Sequence, residues 1–105
     1  MPKPKILSAA FDDILRIADH RIRAIGLRSA QEITDKLLAA IGLLESTPLM
    51  GPLHHDPVLQ NMGFRKLVCR PYVCIYRMLD DVPTVYGVFH ESQDYVQNFT
   101  WEINR

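Results

Sequence analysis

Apolar residues recur at steps of three and four over the first half of the chain, which is the period of an amphipathic helix. The pattern predicts a first helix that follows an extended strand at residues 5–7, has Ser8 as its N-cap and ends at Gly26. Asp12 and Asp13 are expected in its first turns, where they favour the helix dipole. The predicted buried face consists of Phe11, Ile14, Leu15, Ala18, Ile22 and Ile25.

A second helix is predicted directly after Gly26. Ser29 and Glu32 have the spacing of a capping box, in which each side chain bonds to the other residue's backbone N–H. Thr47-Pro48 closes the helix, because the residue before a proline is driven out of the helical region. Two such helices should pair as an antiparallel hairpin against another layer. The apolar face of the second helix consists of Ala30, Ile33, Leu37, Ile41 and Leu44.

The second half of the chain changes to a strand pattern. Residues 49–63 are rich in turn formers and have no sustained period, so they predict a long surface loop. Three runs rich in Val, Ile, Tyr and Phe then predict an antiparallel sheet, with Asp80 and Asp81 as the turn between the second and third runs. The runs are Phe64 to Arg70, Tyr72 to Leu79 and Thr84 to His90.

After His90 the pattern permits two structures. A short helix would place Val96, Phe99 and Ile103 inward, whereas Thr100 and Trp101 suit a strand equally well. The whole chain is therefore predicted as an α+β fold, in which an N-terminal strand precedes a helical hairpin that packs on a three- to four-stranded antiparallel sheet. A length of 105 residues is that of one domain.

Composition narrows the class of protein. Twelve basic residues balance twelve acidic ones, so the net charge offers nucleic acid no general attraction, although a local basic stripe can still hold phosphates. We find no apolar run of signal-peptide length before Leu7 and none that would span a bilayer, and we expect a cytoplasmic protein. Cys69 and Cys74 lack the spacing of a redox or disulfide motif, which indicates reduced, half-buried thiols.

The sequence His54-His55-Asp56 contains the residue types of a metal site. Adjacent side chains on an extended loop point apart, however, so we expect solvated loop residues there, and no metal or cofactor. No Ser or Cys nucleophile stands in a recognisable motif, and no glycine-rich phosphate loop is present.

Other polar residues lie on or beside the predicted strands. If they converged on one face they would bind phosphates, and a histidine would move a proton during phosphodiester cleavage. The alternative, which we favour, is that they point outward and pair with the nearby acidic residues. The set is Arg65, Lys66, Arg70, Arg77, His90 and Tyr95, and the acidic residues are Asp80, Asp81, Glu91 and Asp94.

Several short patterns follow one another in an order that resembles the ParE/RelE superfamily of type II toxins, which includes plasmid-stabilisation proteins. They are Ala10-Phe-Asp-Asp-Ile-Leu-Arg-Ile, Ile41 to Leu44 with Thr47-Pro48-Leu-Met-Gly51, Gly63-Phe-Arg65-Lys-Leu, Tyr72-Val-Cys-Ile-Tyr76-Arg77, and Val85-Tyr-Gly-Val-Phe-His90-Glu-Ser-Gln93-Asp94-Tyr. The family-motif positions are Arg65, Tyr72, Tyr76, Arg77, His90, Gln93 and Asp94. The resemblance implies a partner: a ParD-like antitoxin with a ribbon-helix-helix DNA-binding part, whose C-terminal segment wraps and neutralises the toxin.

Two branches of the superfamily differ in target. The resemblance implies a ribosome-dependent mRNA endonuclease for RelE-like members, and an inhibitor of DNA gyrase without that catalytic set for ParE-like members. Val73 stands where RelE-like toxins carry an arginine, and the segment from His90 to Asp94 resembles a ParE-type ending. We therefore expect a gyrase inhibitor that acts by protein binding, without catalysis and without sequence-specific binding of nucleic acid. The alternatives are an mRNA endonuclease that uses Arg65, Lys66, Arg77, His90 and Tyr95, and a relic that only folds.

Overall fold

The computed structural model describes residues 2–103, which form a four-stranded sheet and four helices. The strand order is β1-β4-β3-β2. The predicted α+β fold is confirmed, with one difference: β1 runs parallel to β4, so the sheet is mixed. The elements are β1 (Lys5–Ile6), α1 (Ser8–Ala24), α2 (Leu27–Gly42), a 3-10 turn (Leu43–Glu45), α3 (Pro57–Asn61), β2 (Arg65–Cys69), β3 (Tyr72–Leu79), β4 (Val82–His90) and α4 (Val96–Ile103).

Helices cover both faces of the sheet. Successive side chains of β3 point to opposite faces, and on each face they pack in an apolar cluster. Tyr72, Cys74 and Tyr76 pack against α1 and α2. Val73 and Ile75 face the other way and pack with residues of α3 and α4. The helical alternative for the C-terminal segment is therefore the correct one, and its inward residues pack as predicted. They are Val96, Phe99 and Ile103.

Helix α1 is oriented about its axis differently from the prediction. Its buried residues are Ala10 and Ile14, and much of the predicted buried face is exposed. Neither Asp12 nor Asp13 lies in the first turn near the helix dipole. Asp13 is instead on the side of the helix that faces the sheet, where it accepts a hydrogen bond from the Val88 N–H at 3.0 Å. Because β1 pairs with β4 only at Thr84 and Val85, the carboxylate supplies an acceptor where the ladder has ended. Burial raises the pKa of Asp13.

Both predicted helix caps are wrong. Ser8 is the first residue of α1 rather than its N-cap, and no side chain caps that helix. Helix α2 begins directly after Gly26, so Ser29 lies inside its first turn instead of before it. The Ser29 hydroxyl accepts a hydrogen bond from the Arg21 guanidinium at 3.2 Å, which ties the two helices together, and makes no capping box with Glu32.

The predicted loop at residues 49–63 contains a helix that the hydrophobic pattern does not show. Asp56 is its N-cap, and the carboxylate accepts hydrogen bonds from the Val58 and Leu59 N–H groups, both at 3.1 Å. Pro57 follows at the first helical position, which it favours. The loop also pairs with the sheet, because the His54 N–H donates to the Phe64 carbonyl at 2.9 Å. The segment is therefore fixed at two places, by the Asp56 cap of its helix and by the hydrogen bond from His54 to Phe64.

Among the other local predictions, the turn between β3 and β4 is confirmed, and the predicted burial of the two cysteines is corrected. Asp80 and Asp81 form the turn between β3 and β4, with φ angles of 51° and 63°. Cys69 and Cys74 are free thiols but are buried rather than half-buried, and burial raises the pKa of Cys74 to about 12. No helix between residues 2 and 103 is long and apolar enough to cross a membrane.

Candidate functional site

The polar residues of the strands do not all come together at one site: Lys66, Arg70 and Tyr95 line one groove of about 300 Å³. Arg65, Arg77 and His90 do not line that groove. Arg65 shares its face of β2 with Leu67, on the hairpin side of the sheet, and donates to the Gly51 carbonyl at 2.8 Å. Lys66 points to the other face, where its Nζ lies 3.2 Å from Nδ1 of His55. Arg70, at the end of β2, forms a 2.5 Å ion pair with Glu91.

Arg77 is enclosed by aromatic rings. Its guanidinium carbon lies 4.7 Å from the centre of the Phe64 ring and 5.0 Å from that of Tyr86. The guanidinium also donates to the Met62 carbonyl at 3.2 Å and to the Tyr86 hydroxyl at 3.0 Å. Arg77 therefore joins the end of α3 to the sheet, and its charge is balanced by ring faces and oxygens of the protein itself.

Replacing Arg77 by alanine should lower the free energy of unfolding by about 2 kcal/mol, since two cation–π contacts are lost and the Met62 carbonyl loses its donor. Urea unfolding followed by circular dichroism measures this loss. Arg23→Ala is the matched control, because Arg23 forms only an exposed ion pair with Asp19 and should change stability by less than about 0.5 kcal/mol. Equal stability of the two variants would contradict the structural role of Arg77.

His90 lies on the hairpin side of the sheet, away from Lys66. Its ring packs edge-to-face on Tyr72 with centres 5.5 Å apart, and its Nδ1 accepts from the Ser92 N–H at 3.1 Å. His90, Tyr72 and Gln93 line one cleft of about 340 Å³ beside α1. Three family-motif positions therefore meet here. Asp94 lines two other grooves, and Gln93 also lines one of these.

Tyr95 and His54 form a buried pair. The Tyr95 hydroxyl lies 2.8 Å from Nε2 of His54, and the Tyr95 ring stacks on Phe89 at 4.6 Å. The prediction of solvated loop residues is thus wrong for His54, which has no exposed surface, while His55 is exposed. Within residues 2–103, no group of three His, Cys, Asp or Glu side chains is arranged to hold a metal ion.

Tyr76, on the hairpin side of β3, also serves the fold. Its hydroxyl donates to the Pro48 carbonyl at 2.9 Å and accepts from the Gly51 N–H at 3.0 Å. With the Arg65 bond to the Gly51 carbonyl, this network holds the turn after α2 against the sheet. Two of the family-motif positions therefore fix one backbone turn.

An apolar stripe on α1 is the feature that the sequence reasoning placed wrongly. Phe11, Leu15 and Ile22 follow one another at helical spacing on α1, and Ile25 directly follows the helix. They are 50%, 54%, 46% and 69% exposed. Leu27, at the start of α2, continues the stripe with 61% exposure. The signal was present in the sequence, because the apolar arc of α1 is wider than one buried face requires. A contiguous exposed stripe of this kind is typical of a protein-binding surface.

Comparison with known proteins identifies the family. A family model described as the ParE toxin of type II toxin-antitoxin systems, parDE, matches residues 5–95. The chain belongs to this ParE toxin family. The match covers the stripe of α1 and strands β1 to β4, and it ends before α4, so α4 is a part of this ParE toxin that the family model does not describe.

A solved structure has the same fold. It is a chain of the chromosomal ParDE toxin-antitoxin system from P. aeruginosa, which is 19% identical and superposes with a TM-score of 0.73 over 86% of the present chain and 96% of its own. No curated protein sequence matches the chain significantly. At this identity the solved structure supports the ParE fold alone.

Proposed function

We propose that the chain is the toxin of a type II toxin-antitoxin pair, that it inhibits DNA gyrase by binding to it, and that a ParD-like antitoxin neutralises it. The observation that carries the proposal is the exposed stripe on α1 in a chain of the ParE toxin family. The solved neighbour comes from a ParDE toxin-antitoxin system, which supports an antitoxin as partner.

The stripe has the form that an amphipathic helix recognises. Its residues stand at i, i+4, i+11 and i+14, so a partner helix lying along α1 would bury them with anchors at helical spacing. Covering side chains of this size yields about 1.5–3 kcal/mol each when burial is complete. An antitoxin tail that is disordered alone and folds along α1 would therefore protect the toxin.

Binding rather than catalysis is supported by where the strand residues lie. Phosphodiester cleavage needs a proton-transfer group and phosphate-binding groups within hydrogen-bond reach of one reacting centre. Here Lys66 and Tyr95 line one groove, but the Tyr95 hydroxyl is already bonded to His54. Arg65 and His90 lie on the hairpin side, across the sheet from that groove. Arg65 and Arg77 hold backbone carbonyls in place.

The purified chain should inhibit the supercoiling activity of gyrase and leave mRNA on translating ribosomes intact. Cleaved mRNA with normal supercoiling would contradict the proposal and favour the endonuclease. Lys66→Ala and His90→Ala are the informative variants in that case, because neither side chain is buried and cleavage should be lost without unfolding. Arg65 and Arg77 are poorer choices, since their replacement alters the fold.

Leu15→Lys should weaken binding of the antitoxin encoded beside the toxin gene by at least tenfold, because a charge replaces an apolar anchor at the centre of the stripe. Leu79→Lys is the matched control: it makes the same change on a side chain that is 42% exposed, at the end of β3. Isothermal titration calorimetry measures both. Equal affinity of the two variants would place the antitoxin elsewhere.

A further inference from the structure

The groove of about 300 Å³ beside β2 contains two basic side chains that face each other. Lys66 and His55 both line it, and the Lys66 Nζ lies 3.2 Å from Nδ1 of His55. Because an ammonium group can only donate, Nδ1 of His55 is the acceptor and the ring proton lies on Nε2. The pair therefore offers two kinds of N–H donor to a ligand in the groove, one of them charged.

Both side chains are held in position. The His55 ring stacks on the His54 ring, with centres 4.4 Å apart, and His54 is fully buried and bonded to the Tyr95 hydroxyl. Lys66 extends from the middle of β2, where it is paired with Ile75 of β3. Donors that the fold already positions lose little conformational freedom when a ligand binds.

The charge of Lys66 is not neutralised by the protein. Between residues 2 and 103, no ion pair includes Lys66, whereas Arg70 on the same groove is paired with Glu91. A carboxylate that entered the groove would accept charge-assisted hydrogen bonds from Lys66 and a further bond from His55. The Lys66 end of this surface therefore suits an acidic group.

The rest of the groove favours a polypeptide over a nucleic acid. Val68, Val73 and Val96 line it, and Val68 is 50% exposed. Glu91 and Asp94 line it as well. The phosphates of a nucleic acid are closely spaced along the strand, so a strand laid in the groove would bring phosphates against these two carboxylates. A protein segment can instead present a single carboxylate beside apolar side chains that cover the valines.

We infer that this groove, the Lys66 groove, is the surface with which the chain docks on its target protein, and that the target presents an aspartate or glutamate flanked by apolar residues. The inference rests on the proposed function in taking the target to be a protein. The Lys66 groove is distinct from the antitoxin surface, because Lys66 and Val73 lie on the face of the sheet opposite to α1.

Lys66→Glu and His55→Phe test the inference with DNA gyrase as the probe. Lys66→Glu should raise the concentration that half-inhibits supercoiling by at least tenfold, because it opposes a carboxylate with another. His55→Phe should raise it by at least threefold, since phenylalanine keeps a ring to stack on His54 but has no N–H. Neither side chain is buried, so the midpoint of urea unfolding should not change.

Lys5→Glu is the matched control for charge. It makes the same reversal on an exposed side chain of β1, at the opposite edge of the sheet, and should inhibit supercoiling as the wild type does. Both groove variants should also keep wild-type affinity for the antitoxin, as measured by isothermal titration calorimetry. Groove variants that lost antitoxin affinity and still inhibited gyrase would assign the groove to the antitoxin and overturn the inference.

The other outcomes separate the docking inference from the gyrase proposal. If the wild type inhibits supercoiling and Lys66→Glu inhibits it equally well, the Lys66 groove is not the docking surface, while gyrase stays the target. If the wild type slows growth with supercoiling and mRNA both intact, and Lys66→Glu no longer slows growth, the docking surface is supported and gyrase is not the target. If the wild type cleaves mRNA and Lys66→Glu does not, the groove serves a nucleic acid and both proposals are overturned.

Discussion

Replacing Gly51 by alanine should lower the free energy of unfolding by at least about 3 kcal/mol, because there is no space for a methyl group at this position. A Cβ atom there would lie 2.4 Å from the Lys66 carbonyl oxygen and 2.9 Å from Cε1 of Tyr76. Neither neighbour is free to move, since one is backbone of β2 and the other is a buried ring with both of its hydroxyl hydrogen bonds made.

The turn would have to shift away from the sheet, and the shift would break the network that fixes it. The Gly51 N–H would lose the Tyr76 hydroxyl, and the Gly51 carbonyl would lose the Arg65 guanidinium. Each buried polar group left without a partner costs a further ~1–3 kcal/mol. The expected loss therefore combines steric overlap with lost hydrogen bonds.

Gly42→Ala is the matched control. A Cβ at Gly42 meets nothing within 4 Å, and the residue has helical φ and ψ angles of −59° and −30°. Alanine should stabilise the protein there by about 0.4–1 kcal/mol, because it reduces the conformational entropy of the unfolded chain. Urea unfolding of both variants measures the difference. If Gly51→Ala were as stable as Gly42→Ala, the close approach of this turn to β2 would be wrong.

The Gly51 turn also shows what sequence reasoning achieves. The pattern Thr47-Pro48-Leu-Met-Gly51 was recognisable as part of a family resemblance, as were Arg65 and Tyr76. Hydrophobic periodicity and residue propensity predict a turn and two strands for these residues. They do not predict which groups form hydrogen bonds with one another. Only the packed structure shows that three separated patterns describe one network.

Strands were predicted more accurately than the surfaces of the helices. The alternation of β3 fixes two faces, and both are buried as the residue types require. On α1 the apolar arc is too wide to identify the buried side, which is set by long-range packing that includes the bond from Val88 to Asp13. A periodicity argument cannot include that contact, and it therefore assigned the exposed stripe to the core.

His54 was predicted least well, because its burial depends on a partner 41 residues away. Its Nδ1 accepts from the Asp56 N–H at 3.0 Å, so the ring proton is on Nε2 and is donated to the Tyr95 hydroxyl at 2.8 Å. This arrangement uses the neutral ring. Burial, followed by the nearby charges of His55 and Lys66, lowers the pKa of His54 from 6.5 to about 4.

The pH dependence of stability should reveal this buried histidine. Above pH 6.5 the ring is neutral in both the folded and the unfolded chain, so the His54 interactions stabilise the fold fully. Between pH 6.5 and about 4, the unfolded chain binds a proton that the folded chain does not, so the free energy of unfolding falls as the pH falls. Since each pKa unit is worth about 1.4 kcal/mol, this interval predicts a loss of about 3 kcal/mol.

The loss should disappear in His54→Gln, whose amide can donate to the Tyr95 hydroxyl but does not titrate. Urea unfolding at about pH 7, 5.5 and 4 measures the slope for the wild type and the variant. The comparison is needed because Asp13, whose pKa burial raises, changes stability in the opposite direction as the pH falls. If His54→Gln kept the wild-type slope, the titrating group would lie elsewhere, and His54 would not be the neutral donor that links the loop before α3 to the start of α4.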